Sequence, residues 1–146
     1  MKTIVVGYDE SEPAERALAR AADLAAAFDS KVIVTSVAPV LVGSREMGGV
    51  DPVDPPEQHL AELDHAKAFL GGRGIEGQFE MSVGDPATAI VELADRCEAD
   101  LIIVGTRQPS LISSILGLSV SGSVKRKAHC DVLTVQERAT AGRRRP

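Results

Sequence analysis

The side chains able to do chemistry in this 146-residue chain are few and scattered. Three histidines are present, His59, His65 and His129. His59 and His65 are six apart, which on a helix puts them on opposite sides and excludes a metal shared through that helix alone. All three read as solvated. Cys97 and Cys130 each sit in an apolar-patterned segment and read as buried free thiols, not as a disulfide framework. No Gly-x-Ser-x-Gly elbow, His-Glu-x-x-His pair or Walker sequence occurs, so no catalytic set emerges. What remains are acids and hydroxyls beside apolar runs. Asp9 and Ser11 follow the first run, and Ser119 and Ser121 precede the last. An acid such as Asp9 near a helix start is favourable to the helix dipole even without a ligand. Ser119 and Ser121 suit helix capping, and Ser110, Ser113 and Ser114 read as loop polarity or as phosphorylation targets.

The elements that must hold these residues alternate between strand and helix. Ile4-Val5-Val6-Gly7 reads as a buried strand. Ser11 caps a helix whose first turn holds Glu12 and Pro13 and whose inner face is Ala14, Ala17, Leu18, Ala21, Ala25 and Phe28. Lys31–Val37 is the second strand. Residues 38–54 have no clear period and read as a long connection of the kind that often carries function. Asp54-Pro55-Pro56-Glu57 then opens a helix with Leu60, Leu63, Ala66 and Leu70 inward, ending at Gly71-Gly72. Ile75–Val83 is a third strand, and Gly84-Asp85-Pro86 starts a helix with Ala87, Ile90, Val91, Ala94 and Cys97 on one face. Leu101–Gly105 is the clearest buried strand. A fourth helix carries Leu116, Val120 and Val124 at steps of four, and Val132–Val135 is the last strand. Residues 137–146 read as a disordered tail, its three closing arginines as a solvated end.

This alternation predicts an α/β, three-layer sandwich: a parallel, doubly wound sheet with helices on both faces. The common order for five such strands, 3-2-1-4-5, puts the first beside the fourth, and ligands bind beyond the carboxyl ends at that switch point. The loops after Asp9 and Gly105 then border one crevice. A receiver domain is excluded because no later central strand ends on aspartate. A flavodoxin is excluded because Tyr8–Pro13 cannot supply its phosphate loop.

A net charge of −5 argues against nucleic acid or an anionic membrane as partner. The opening MKTIVVGYDE is too short in apolar residues for a signal-peptide core, and no run reaches membrane-spanning length. The expectation is a cytoplasmic protein.

Three stretches together resemble the universal stress protein family. They are Ile4-Val5-Val6-Gly7-Tyr8-Asp9-x-Ser11, then Gly84-Asp85-Pro86-Ala87 through Ala99-Asp100-Leu101-Ile102-Ile103-Val104-Gly105-Thr106-Arg107, and Ser119-Val120-Ser121 with Ala128–Val135. The resemblance covers residues 1–136 as one domain and implies an adenine-nucleotide alpha-hydrolase-like fold. It implies a nucleotide site formed by Asp9 (adenosine), Val37, Gly105, Arg107, Ser119, Val120 and Ser121. It also implies a homodimer formed through the last strand, Val132 to Gln136, whose apolar edge would otherwise invite stray pairing.

ATP-binding members resembling this chain carry Gly-x-x-Gly, nine residues, then Gly followed by Ser or Thr. Glycines there let backbone N–H groups reach the phosphates at a helix start. Here the first glycine is Gly105, but Gln108 and Leu118 occupy the other two positions at the same spacing. Losing two charge-assisted hydrogen bonds of ~1.5–3 kcal/mol each lowers affinity on the order of a hundredfold to ten-thousandfold. The expectation is therefore a homodimeric, non-enzymatic stress protein without tight ATP binding. The alternative is a protein holding ATP with Mg or another nucleotide, with weak or no hydrolysis, between Asp9 and the 105–121 loop, with residues 38–54 as a lid.

Overall fold

The computed structural model describes residues 1–38, 40–41, 51–52, 56–106 and 120–136. Strand β1 (Thr3–Gly7) leads into helix α1 (Glu12–Phe28), followed by β2 (Lys31–Ala38). Two-residue strands β3 (Val40–Leu41) and β4 (Asp51–Pro52) pair antiparallel, within the stretch expected to lack regular structure. Then come α2 (Pro56–Gly72), β5 (Gly77–Val83), α3 (Pro86–Cys97), β6 (Leu101–Thr106), α4 (Val120–Lys127) and β7 (Asp131–Gln136).

The five longer strands form one parallel sheet in the order β5-β2-β1-β6-β7. This is the doubly wound order expected. The central strands are apolar on both sides because both sides are covered. Ile4, Val6, Val32, Val34, Leu101 and Ile103 pack with α1 and α2. Val5, Ile33, Ile102 and Val104 pack with α3 and with Val124 of α4. Register between β1 and β6 is pinned at their entry: Asp100 Oδ2 accepts from the Lys2 and Thr3 amides at 2.7 and 3.0 Å. Those amides hold the Asp100 carboxyl below the usual carboxylate range.

Helix α1 starts where expected. Ser11 is its N-cap and Pro13 lies in its first turn. Asp85 caps α3, its carboxylate accepting from the Thr88 amide at 3.0 Å and the Thr88 hydroxyl at 2.8 Å. Three residues expected inward are exposed instead: Phe28, Leu60 and Val120. Phe28 and Val120 are terminal residues of their helices, and Leu60 lies at the rim of an open groove beside β5. Apolar spacing locates a helical face but not where that face outruns the sheet. The expected cap Asp54 and Leu116 lie outside the described residues, as does the 137–146 tail. No described helix is long and apolar enough to cross a membrane.

Candidate functional site at the switch point

At the carboxyl end of the sheet, β1 continues through Tyr8, whose amide donates to the Thr35 carbonyl at 2.9 Å. The chain then turns sharply. Asp9 is exposed, and its Oδ1 accepts from both the amide (3.0 Å) and the hydroxyl (2.6 Å) of Ser11. Ser11 Oγ in turn accepts from the Ala14 amide at 3.3 Å, so Asp9 is tied into the helix cap. Between them Glu10 has φ of 63°, a left-handed conformation uncommon outside glycine, asparagine and aspartate. The Asp9 turn is thus built, not slack.

Tyr8 anchors this turn from below. It is almost fully buried, and its hydroxyl donates to Glu15 Oε2 at 2.9 Å. Burial, then the Glu15 hydrogen bond and charge, push its ionisation well above the ordinary tyrosine range. His65 of α2 stacks on its ring, with centroids 6.4 Å apart and planes 20° apart.

Across the switch point, Gly105, next to the end of β6, lies against the first turn of α1. A Cβ there would lie 2.5 Å from the Pro13 carbonyl oxygen and 2.7 Å from the Ala14 nitrogen. Its lack of a side chain lets strand and helix start meet, a packing role independent of any ligand. Val37 is half-buried near the end of β2 and packs on the α3 side of the sheet. Val120 and Ser121 open α4, the first exposed and the second buried. Asp9, Val37, Gly105, Val120 and Ser121 therefore stand at one end of the sheet. Arg107, Gln108, Leu118 and Ser119 lie outside the described residues, as do Ser110, Ser113 and Ser114.

A second polar group escaped the sequence reading. Ser36, on β2, donates to Glu62 Oε1 at 2.6 Å and lies 2.6 Å from His59 Nδ1, which is itself 3.0 Å from that carboxylate oxygen. All three are buried, so the expectation of a solvated His59 is corrected. The ring is spent on joining α2 to β2. Six helical residues turn about 240°, so His59 and His65 are not opposite and both border the body of the protein. His65 is half exposed, and His129 is exposed near Asp95 with Nδ1 3.1 Å from Oδ2. The signal for the buried cluster was Thr35-Ser36: two adjacent polar residues in an apolar strand need partners. Cys97 and Cys130 are free and only partly buried, and burial with the charge of Asp131 pushes the Cys130 thiol up. Among the described residues, no three His, Cys, Asp or Glu side chains are grouped to hold a metal ion.

The sequence profile of the universal stress protein family matches residues 1–136. The chain belongs to the universal stress protein family. Among its relatives, the universal stress protein Rv1636 of Mycobacterium tuberculosis is 36% identical over 141 residues, covering 92% of this chain and 95% of that one. A universal stress protein solved in complex with cAMP has a TM-score of 0.73 at 30% identity, covering 94% of this chain and 98% of the other. The Archaeoglobus fulgidus universal stress protein in complex with dAMP has a TM-score of 0.68 at 26% identity, covering 92% and 98%. The universal stress protein fold is thus shared along nearly its whole length with proteins solved carrying nucleotides of one phosphate.

Proposed function

We propose that this universal stress protein is a homodimeric regulatory protein that takes an adenine nucleotide of one phosphate, cAMP or AMP, at the switch-point crevice and does not bind ATP with Mg tightly. The observation that carries the reading is the cAMP complex of a neighbour 30% identical and matched along nearly the whole chain. Asp9 supports it as well. It is exposed and held on Oδ1 by Ser11, and among the described residues its Oδ2 has no partner, so it suits the hydroxyls of a ribose. The rest of a triphosphate would need the backbone approach that Gln108 and Leu118 replace. A single phosphate asks for fewer donors, and Gly105, Val120 and Ser121 stand at the same end of the sheet as Asp9. The role is one of binding, with partners reached through the surface in a cytoplasmic setting, and no hydrolytic step is assigned.

Calorimetric titration of nucleotide-stripped protein with cAMP, AMP and Mg-ATP tests this. The expected result is micromolar affinity for cAMP or AMP and at least about a hundredfold less for Mg-ATP. Asp9→Ala weakens the favoured nucleotide by about tenfold to a hundredfold, the worth of one charge-assisted hydrogen bond. Mg-ATP binding as tightly as cAMP, or an Asp9→Ala protein indistinguishable from the original, overturns the reading.

A further inference from the structure

We propose that His65 is a proton-operated latch that fastens α2 to the turn carrying Asp9. Both nitrogens of its ring face carboxylates: Nδ1 is 3.3 Å from Glu10 Oε2 and Nε2 is 3.3 Å from Glu15 Oε2. A neutral imidazole has one N–H, so one of these contacts would set a nitrogen lone pair against a carboxylate oxygen. Only the imidazolium is attracted to both carboxylates by charge. Histidine is also the side chain that ordinarily changes charge between pH 5 and 8.

The groups facing the ring are Tyr8 from the end of β1, Glu10 from the turn and Glu15 from α1, with Glu62 one turn earlier on α2, close enough to act on Tyr8. His59 lies behind Glu62 and is occupied with it and with Ser36. Among the described residues, neither Glu10 nor Glu15 makes an ion pair with a lysine or arginine. Tyr8 stays neutral across the physiological range and spends its proton on the oxygen of Glu15 that His65 also meets.

What the latch holds gives it a consequence. Glu10 is the left-handed residue of the turn, flanked by Asp9 and Ser11. Such a conformation persists when its surroundings over-determine it, and His65 is the side chain that grips Glu10 from another element. With the ring protonated, α2, Glu10 and the start of α1 are joined and Asp9 keeps its place over the crevice. Loss of the proton frees Glu10, and the turn loosens. A ligand that needs Asp9 then binds more weakly at pH 8 than at pH 5.5, and its binding favours proton uptake in return. The pairs are half exposed, so the change in affinity is about two- to fivefold and shrinks with added salt. This last step rests on the nucleotide reading above; the latch itself does not.

The test is an NMR titration of the full chain from pH 5 to 8.5, following the histidine ring signals and the amides of Asp9, Glu10 and Ser11. The amide signals are expected to move with the midpoint of the His65 ring, and to lose that movement in both His65→Gln and Glu10→Gln. Amides that stay flat while the ring titrates, or that keep the same movement in His65→Gln, overturn the latch. Affinity for cAMP measured at pH 5.5 and 8 should fall about two- to fivefold in the original and stay level in His65→Gln. If cAMP does not bind at any pH, the nucleotide reading fails while the amide titration still decides the latch.

Discussion

Replacing Gly105 with alanine separates a packing glycine from a phosphate-loop glycine. The new Cβ would lie 2.5 Å from the Pro13 carbonyl oxygen and 2.7 Å from the Ala14 nitrogen, where ordinary contact begins near 3.4 Å. The carbonyl carbon of Pro13 is also too close. These are backbone atoms, so no rotamer change relieves them; the start of α1 must retreat by roughly 1 Å to bring the Pro13 carbonyl carbon out to about 3.4 Å. That helix cannot move alone, because Ala14, Ala17, Leu18, Ala21 and Ala25 are seated in the core. Overpacking of this kind costs about 1–3 kcal/mol. For a domain of this size that is about 3–12 °C in Tm. Urea unfolding of the nucleotide-free protein should show a lower midpoint with an unchanged slope. Gly71→Ala is the control: it lies within α2 with nothing within 4 Å of its new methyl group, so it should be neutral or stabilising by up to about 1 kcal/mol. A Gly105→Ala protein within about 0.5 kcal/mol of the original would refute the packing argument.

The cap of α3 makes a pH-linked prediction. Asp85 is held below the usual carboxylate range by the Thr88 amide first, then the Thr88 hydroxyl, with Lys127 adding its charge. Its folded-state value is depressed, so its contribution is full above the unfolded value near 4 and is lost as pH falls through the folded one. Asp85→Ala should cost about 0.5–2 kcal/mol at pH 7, and the gap should narrow in urea melts taken below pH 4. For the proposed dimer, sedimentation at micromolar concentration should give twice the chain mass; a monomer would remove the β7 pairing from the proposal.

Much of the sheet was legible because its strands are short apolar runs separated by capped helices. Ile4–Gly7 and Leu101–Gly105 announce buried central strands, and Ser11 and Asp85 announce helix starts. Alternation announced the parallel, doubly wound sheet, and the strand order came from the common arrangement of five such strands. The chemistry around Tyr8 was not legible, because it depends on three elements meeting. Nothing in the spacing of Glu10, Glu15 and His65 says that one imidazole lies between two carboxylates. Nor does the letter Glu reveal a left-handed turn, which glycine would have signalled. His59 was misread because an isolated histidine in a helix resembles solvent-facing polarity. Its partner Ser36 is a strand residue 23 positions away, brought over by α2 crossing β2. Gly105 was noticed for its place in a glycine pattern, and its close approach to the backbone of α1 was not legible.

The place of β1 in the middle of the sheet also governs how the chain is assembled during synthesis. Its neighbour on one side, β2, leaves the ribosome soon after it, but β6 on the other side is separated from it by nearly a hundred residues. At bacterial or eukaryotic rates of ~5–20 residues per second, an inner edge of Ile4, Val5 and Val6 waits about 5–20 s for its partner. During that interval β5, β2 and β1 can assemble with α1, α2 and α3 as an open-edged sheet. β6, with α4 and β7 after it, then adds along that edge and brings the Gly105 side of the crevice against the Asp9 side. The crevice therefore cannot close before β6 is made, and an unfinished chain leaves an apolar inner edge of β1 open until then.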